Sequence, residues 1–208
     1  MKSLKLAIAF LLAAAVPSFA DGIPMDTVFS SLTERAVTSG DFSQEKTSPK
    51  LRRPLKSSGK FVFSRDGIVW QTLKPFPSTM AVTKDAIIQT GADGKRTVLD
   101  GSSSDVFKTV ASSLSSLFSG NRKVLEKHFT IRSYSSKGAD WTLSLAPKDA
   151  TVAGALKDIV ISGSSADGKA SLDEMKISQN DSNTTTYRLT NQTYRQELTP
   201  NEKALLSK

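Results

Sequence analysis

The clearest pattern of hydrophobic and polar positions is a pair of short β-rich runs near the middle of the chain. Phe61–Arg65 and Ile68–Thr72 are separated by Asp66-Gly67, a dipeptide typical of two-residue type I′ hairpin turns. Such a loop fixes the register, which pairs Phe61 with Thr72, Phe63 with Trp70 and Arg65 with Ile68. Because side chains alternate, one face carries Phe61, Phe63, Arg65, Ile68, Trp70 and Thr72, and the other carries Val62, Ser64, Val69 and Gln71.

Two segments have apolar residues at three- and four-residue spacing, which predicts amphipathic helices. The first follows Pro24 and ends at Ser39-Gly40, with an apolar stripe of Met25, Val28, Phe29, Leu32 and Ala36. The second spans Asp105–Ser119, with Ser104 as its N-cap and Gly120 after its end. Its stripe contains Val106, Phe107, Val110, Ala111, Leu114, Leu117 and Phe118. Serine is a weak helix former, so this helix depends on packing and is either a movable cover or an ordinary core helix.

The remaining pattern predicts further strands separated by turn residues. They are 78–83, 86–89, 96–99, 128–135, 141–145, 157–162, 172–179 and 184–195. Regularly spaced turns favour an antiparallel meander that closes toward a barrel. A capping box at Thr199-Pro200-Asn201-Glu202 opens one last short helix. The predicted fold class is α+β, mainly β: an incomplete antiparallel β-barrel with amphipathic helices covering its concave face, around either an apolar cavity or a solid core.

The first 20 residues have the pattern of a secretory signal peptide. Lys2 and Lys5 precede an apolar run of 11 residues, and Ser18-Phe19-Ala20 resembles a cleavage site. A membrane anchor is the alternative, but about 20 apolar residues are needed to cross a bilayer. We therefore expect cleavage after Ala20, export across the inner membrane, and one domain over residues 21–208. No later segment is expected to cross a membrane.

Charge and cysteine content limit the possible partners. The sequence contains no cysteine, which excludes disulfides and thiolate metal sites. The formal charge of +8 falls to +6 when Lys2 and Lys5 are removed. An exported protein without a basic helix is not expected to bind nucleic acid. The densest basic cluster is either a solvated loop or a docking surface for an acidic partner or anionic lipid headgroups, and it consists of Lys50, Arg52, Arg53 and Lys56.

The sequence offers little for catalysis. His128, the one histidine, lies in a predicted strand, and the nucleophile-elbow motif G-x-S-x-G is absent. Asp173 and Glu174 are adjacent in a predicted strand and would point to opposite faces. No phosphate loop, dinucleotide fingerprint or metal-ligand cluster is present, so no cofactor and no catalytic residue are expected. An exported hydrolase is the weaker alternative to an apolar binding protein.

An ordered series of motifs resembles a known family over most of the mature chain. The series consists of Phe42-x-Gln44-x-Lys46, Leu51-x-x-Pro54-Leu55, Ser58-Gly59-x-Phe61-x-Phe63, Gly67-x-x-Trp70 and Pro75, followed by Trp141-x-Leu143-x-Leu145-x-Pro147 and Leu198-x-x-x-Glu202. It resembles the outer-membrane lipoprotein carriers, the LolA-type proteins, in a divergent branch. The resemblance implies a periplasmic carrier with an incomplete barrel, a helical lid and a cavity for acyl chains.

The resemblance also implies roles for individual residues. Trp70 matches the cavity tryptophan of these carriers. From the hairpin face and the helix stripe we expect a cavity lining of Phe61, Phe63, Ile68, Trp70, Met80, Phe107, Leu114 and Phe118. Arg65 stands where these carriers have a lid-closing arginine, but Asp66-Gly67 replaces the family's proline and makes the turn tighter. Arg65 is therefore either a lid latch or an arginine that reaches into water beside the turn. The implied partners of this expected monomer are an acylated lipoprotein or other acyl or polyene lipid, an inner-membrane donor transporter and an outer-membrane acceptor.

Overall fold

A computed structural model describes residues 22–100, 112, 115, 116, 118, 121–180 and 182–207. The described helices are α1 (Met25–Thr33), α2 (Arg122–His128), α3 (Ala150–Ala155) and α4 (Pro200–Leu206). The strands are β1 (Val37–Thr47), β2 (Leu55–Ser64), β3 (Ile68–Lys74), β4 (Ser78–Val82), β5 (Ala86–Thr90), β6 (Arg96–Asp100), β7 (Phe129–Lys137), β8 (Asp140–Pro147), β9 (Leu156–Ala166), β10 (Lys169–Ala170), β11 (Glu174–Gln179) and β12 (Thr184–Arg195).

All twelve strands belong to one antiparallel sheet. Its order is β6-β5-β4-β3-β2-β1-β12-β11-β9-β8-β7, and the two-residue β10 pairs with β9 beside this path. β6 and β7 are edge strands, so the sheet is open. The pairing of β1 with β12 joins the two ends of the chain at the centre of the sheet. The fold is the predicted one, mainly β with an incomplete antiparallel barrel and few helices.

The central hairpin forms, but its predicted register is wrong by two residues. Phe61 faces Trp70 and Phe63 faces Ile68, so Arg65 lies in the loop and not opposite Ile68. The Ser64 N–H donates to the Gly67 carbonyl at 3.0 Å, and the Gly67 N–H donates to Ser64 Oγ at 3.2 Å. The serine hydroxyl thus stabilises a loop around Arg65 and Asp66 in place of the expected type I′ turn.

Gly67 is required at the end of this loop for a steric reason. Its φ is 157°, and a Cβ atom there would lie 2.5 Å from the Val82 carbonyl oxygen. Any other residue would push β4 away from the hairpin. The two-residue shift keeps the alternation of side chains, so Phe61, Phe63, Ile68 and Trp70 still share one face.

The helix predictions need two corrections. α1 ends at Thr33, and Ser39-Gly40, the predicted stop, lies inside β1. The extended pairing of β1 with two neighbouring strands outweighs the local stop signal there. His128 is the last residue of α2 and not part of a strand. Most of the predicted helix Asp105–Ser119 lies outside the described residues; Ser112, Ser115, Ser116 and Phe118 are helical.

Two other local predictions, the bounds of the last strand and the capping box, are confirmed. The last strand has the predicted bounds Thr184–Arg195. The capping box of α4 is complete, with Thr199 Oγ1 accepting from the Glu202 N–H and the Glu202 carboxylate accepting from the Thr199 N–H. No helix in the described part of the chain is long and apolar enough to span a membrane.

The sheet separates two hydrophobic cores. The inner core lies on the concave face beneath α1 and α2, and its members include Val28, Phe42, Phe61, Phe63, Ile68, Leu125, Phe129, Trp141, Leu145, Ile159 and Leu189. The outer core lies on the opposite face beneath α4 and contains Val37, Val62, Val69, Ala81, Ala86, Ile88 and Leu198. Each strand of the hairpin contributes alternate residues to the two cores.

Candidate functional site

The concave face of the hairpin carries a continuous cluster of aromatic rings. Trp70 lies 4.3 Å from Phe42 between ring centroids and meets Tyr187 edge-on at 4.9 Å. Phe61 and Phe63 are 4.5 Å apart. Offset and edge-on contacts of this kind stabilise a packed aromatic layer beyond its buried area. Burial in this layer raises the pKa of the Tyr187 hydroxyl above its usual value.

Phe118 extends the aromatic cluster from the sheet to the overlying helical residues. Its ring stacks on Phe63 at 4.0 Å between centroids, with 26° between the ring planes. Both side chains border a cavity of about 400 Å³ between the sheet and the elements that cover it. Its described lining consists of Leu32, Thr33, Arg35, Ala36, Thr38, Phe63, Ser64, Arg65, Asp66, Gly67, Lys84, Ser112, Ser115, Ser116, Phe118, Val124, His128, Leu172, Leu189 and Gln192.

This cavity, the larger of the two that α1 borders, is amphipathic. Its apolar walls come from Leu32, Phe63, Phe118, Leu172 and Leu189, whereas its polar part contains hydroxyl groups and basic side chains. The basic lining residues are the two arginines at positions 35 and 65, together with Lys84 and His128. The cavity therefore joins an apolar chamber to a cationic rim.

The four basic side chains of the rim come from four separate segments, of which one is the end of α2 with His128. Arg65 lies in the hairpin loop, and Lys84 in the β4–β5 turn, where its Nζ is 4.0 Å from Asp85. Arg35 follows α1 and stacks its guanidinium 3.6 Å from the centroid of the Tyr194 ring. Tertiary folding alone brings these charges to one opening.

A second, apolar cavity of about 20 Å³ lies deeper under α1. It shares Leu32 and Leu172 with the larger cavity, so one wall is common to both. Trp141 borders it and is 3% exposed, and its Nε1 has no hydrogen-bond partner.

Polar contacts hold α1 over the concave face. The Ala170 N–H donates to Ser31 Oγ at 2.7 Å in a buried position. At the other end of the helix, Arg122 Nη1 lies 2.6 Å from the Asp26 carboxylate on the surface. Only the first of these bonds is protected from water, and exposed ion pairs contribute little to stability. Apart from these polar contacts, α1 is held by the apolar packing of its inward face, which includes Val28, Phe29 and Leu32.

The predicted cavity residues fall into four groups. Phe63 and Phe118 line the larger cavity, as does Arg65, the lid-closing candidate. Phe61, Ile68 and Trp70 share their face and belong to the packed core beside it. Met80 faces Trp70 across the β3–β4 pair but is 42% exposed. Phe107 and Leu114 lie outside the described residues.

The predicted basic cluster lies at the opposite end of the hairpin from Arg65. Lys50, Arg52 and Arg53 are exposed in the β1–β2 loop, and Lys56 follows on β2, 3.6 Å from Glu45. Lys74, at the end of β3, borders the same surface groove as Lys56. We call Lys50, Arg52, Arg53, Lys56 and Lys74 the basic end. Exposed apolar side chains stand among them, namely Leu55, Leu73 and Phe76, of which Phe76 is 79% exposed.

Several residues of the site carry no sequence motif. Arg35, Lys84 and Gln192 line the larger cavity although they lie far apart in the chain. The alternation of β12 identifies Leu189 as an inward residue, but only the pairing of β1 with β12 brings it to the cavity. Among the residues that the structure describes, no three His, Asp or Glu side chains are grouped so that they could hold a metal ion.

Comparisons with known proteins give one family. Among solved structures, a DUF1329 family protein from Desulfovibrio piger is similar, with 12% identity, 84% of this chain and 93% of that chain covered, and a TM-score of 0.50. A LolA superfamily protein from Nitrosomonas europaea has 7% identity, with 89% of this chain and 98% of that chain covered and a TM-score of 0.45. The lipoprotein LppX of Mycobacterium tuberculosis has 13% identity, with 84% of this chain and 94% of that chain covered and a TM-score of 0.40.

At 12% identity the likeness to the Desulfovibrio piger protein shows the fold alone. The comparison with curated proteins gave no match. The model of the family described as "Outer membrane lipoprotein carrier protein LolA-like" matches residues 15–187, which is most of the sequence. This match agrees with the resemblance in the motifs from Phe42 to Pro75 and with the open antiparallel sheet. The chain therefore belongs to the LolA-like outer membrane lipoprotein carrier family.

Proposed function

We propose that this protein is an exported carrier that shelters acyl chains of a lipoprotein or lipid and transfers them toward the outer membrane. Membership of the LolA-like carrier family supports a lipid or lipoprotein as cargo. The observation that carries the proposal is the pair of cavities under α1, which share Leu32 and Leu172 on the concave face. An open sheet with a helical cover provides an interior that can accept a chain from one side.

The need for such a carrier follows from the cost of apolar surface in water. Each methylene group that leaves an apolar environment costs about 0.8 kcal/mol, so a chain of about 16 carbons faces a barrier of roughly 13 kcal/mol without an escort. The larger cavity, at about 400 Å³, is already within the size range of small-molecule sites. The deeper cavity is far smaller, and a long chain enters it only if α1 shifts outward.

A carrier must also release its cargo. The cover meets this need if it is held weakly. A competing site then takes the chain when its binding free energy for the chain is a few kcal/mol more favourable than that of the cavity. The polar contacts of α1 fit this requirement, and its apolar face is one that an acyl chain can contact in place of the sheet. The Ser31–Ala170 hydrogen bond is buried, but the Asp26–Arg122 pair is exposed and contributes little. We propose that loading separates α1 from the sheet and that unloading restores these contacts.

We further propose that residues 1–20 direct export and that residues 21–208 act as one domain in the periplasm. The basic end is then a surface on which the loaded carrier meets a negatively charged partner. A donor transporter at the inner membrane and an acceptor at the outer membrane are the implied partners. Carrying the cargo in a cavity needs no covalent step, and this proposal gives His128, the one histidine in the sequence, no catalytic role.

A matched pair of substitutions tests the carrier function. Phe63 and Val62 are adjacent and buried, but Phe63 faces the cavity and Val62 faces the outer core. The delipidated protein should bind an environment-sensitive fluorescent fatty acid, and long acyl chains should displace it. Phe63→Ala should lower probe affinity about tenfold or more, because a stacked wall of the cavity is lost. Val62→Ala should leave probe affinity unchanged.

Stability must be measured in the same variants by urea denaturation. Both substitutions should lower the free energy of unfolding, Phe63→Ala by about 3–5 kcal/mol and Val62→Ala by less. A delipidated wild-type protein that takes up no acyl probe would overturn the carrier function. Equal loss of probe binding in both variants would show that the effect follows stability and not the cavity.

A further inference from the structure

We propose that the larger cavity selects amphiphiles with an anionic headgroup, a phosphate or carboxylate, and binds that group at its cationic rim. This inference rests on the proposed carrier function and adds the chemical class of the cargo. An apolar chamber alone would accept any acyl chain of suitable length. The rim adds selectivity, because its cations bind a negative group at the end of the chain more tightly than an uncharged one.

The charge of the rim is unbalanced. Arg35, Arg65 and Lys84 supply three cations, whereas Asp66 is the single carboxylate among the described lining residues. Across the described residues, no carboxylate lies within 4.0 Å of the guanidinium of Arg35 or Arg65. Lys84 meets Asp85 at 4.0 Å in an exposed contact that is worth little. Within the part of the chain that the structure describes, two arginines thus remain available to an incoming anion.

Arginine is suited to this task because its planar guanidinium binds phosphate or carboxylate with two parallel hydrogen bonds. The stacking of Arg35 on Tyr194, at 3.6 Å, orients its guanidinium while leaving the N–H edge open to other partners. The position of Arg65 is set by the hairpin loop, which the Ser64–Gly67 hydrogen bonds close. Thr38 and Ser115 add hydroxyl groups to the same lining.

The polar rim and the apolar walls have the arrangement that an amphiphile requires. Phe63 stacks on Phe118 and lies two positions before Arg65 in the hairpin. The apolar surface therefore begins next to the charge. Leu32 and Leu172 continue it toward the deeper cavity. A chain inserted tail-first would therefore leave its headgroup among the basic side chains.

The test compares ligands that share an acyl or alkyl chain and differ in the headgroup, which is uncharged in one member of each pair and anionic in the other. One pair is monodecanoylglycerol and the corresponding lysophosphatidic acid, and the other is decanol and decanoate. Each displaces the same fluorescent fatty-alcohol probe, which has no charge of its own, from the full exported chain. The wild type should prefer the charged member of a pair by about tenfold, and the preference should shrink as salt screens the rim. The two pairs distinguish a phosphate site from a carboxylate site.

Substitutions at the rim test which side chains cause the preference for charged ligands. Arg35→Gln and Arg65→Gln, singly and together, should lose it stepwise while the uncharged ligands bind as before. Lys60→Gln is the matched control, since Lys60 is an exposed cation that borders a groove on the other face of the sheet. Circular dichroism and thermal unfolding verify the fold, and the salt dependence of the wild type remains informative if the double variant does not fold.

The outcomes separate this inference from the proposed function. Uncharged and charged ligands that bind equally tightly would overturn the anionic selection and leave the carrier function standing. Failure of every ligand and of the uncharged probe would overturn both. A charge preference that survives in the double variant and resists salt would place the anion elsewhere, and the rim would then have no role in selection.

Discussion

At the scale of single residues, Trp70 links the hairpin to the centre of the sheet. Its ring lies 4.3 Å from Phe42 on β1 and 4.9 Å from Tyr187 on β12. The indole therefore brings side chains of three strands into one contact on the concave face. Trp70 lies beside the larger cavity and not in its described lining, so we expect it to act first through stability.

Trp70→Ala should lower the free energy of unfolding by about 3 kcal/mol or more, because it removes a large ring and leaves Phe42 and Tyr187 without their partner. Urea denaturation followed by circular dichroism measures this loss. Thr72→Ala, on the same face of β3, is the control and should change stability far less. A loss below about 1 kcal/mol would mean that the indole borders open space, as a cavity wall would.

Sequence pattern predicted the aromatic face of the hairpin but not its register. Asp66-Gly67 is a strong local turn signal, yet the Ser64 hydroxyl closes a different loop by bonding Gly67. Local propensity does not predict such a side-chain hydrogen bond, because the bond depends on the serine rotamer and on the neighbouring strand. The shift of two residues preserved the face, so the aromatic set was predicted correctly even though its partners were not.

At the scale of elements, α4 covers the outer core and is fixed by one ion pair. Arg195 Nη2 lies 2.7 Å from Glu202 Oε1, and the Glu202 carboxylate also accepts from the Thr199 N–H. Burial by itself would raise the pKa of Glu202, but the hydrogen bonds from Arg195 and Thr199 together lower the pKa below its usual value. The folded state therefore favours the ionised carboxylate.

Glu202→Gln should remove this pair while keeping the capping hydrogen bond, since glutamine also serves in a capping box. At pH 7 the variant should be less stable by up to about 1 kcal/mol. The folded pKa of Glu202 lies below its ordinary value of 4.5, so the stabilisation is fully present above that value and is lost as pH falls through the folded pKa.

Thermal unfolding of the two proteins between pH 7 and pH 3 measures this difference. Glu197→Gln, on an exposed residue just before the helix, is the control and should behave as the wild type does. A gap between wild type and Glu202→Gln that stays constant down to pH 3 would show that the carboxylate charge has no part in holding α4.

The capping box was predictable because its whole mechanism lies within four consecutive residues. The end of α1 was not, since Ser39-Gly40 is a stop signal only if the chain is still helical there. Val37 is already part of β1 and pairs with both Ser64 and Arg195. Two long-range pairings outweigh a local signal, as tertiary contacts commonly do.

At the scale of the whole molecule, the two ends of the chain meet in the centre of one sheet. The pairing of β1 with β12 brings Arg35, Leu189 and Gln192 to one cavity. Alternation within a strand predicts which residues point inward, but the order of strands is a property of the complete fold. The sequence therefore predicted an open barrel with an apolar interior, whereas the cationic rim became visible only in the assembled structure.

The rim and the basic end also differ in what surrounds their charges. At the rim, arginines stand over apolar walls inside a cavity. At the basic end, Lys50, Arg52 and Arg53 are exposed on a loop, and Phe76 stands in water beside Lys74. Basic side chains with interspersed exposed apolar residues suit an anionic membrane surface, where each cation contributes about 1 kcal/mol and the apolar side chains enter the headgroup region.

This arrangement predicts how the loaded carrier delivers its cargo. Reversing Lys50, Arg52 and Arg53 to glutamate should slow transfer of a fluorescent fatty acid to vesicles that contain phosphatidylglycerol, without lowering the affinity of the cavity for the probe. The slowing should disappear with pure phosphatidylcholine vesicles and at high salt, because exposed charges are screened beyond about 8 Å at physiological ionic strength. Reversal of Lys95, Lys137 and Lys169, which are exposed elsewhere, is the matched control. Transfer rates that are equal in both triple variants and insensitive to salt would identify the basic end as a solvated loop, and delivery would then depend on the cavity and its cover alone.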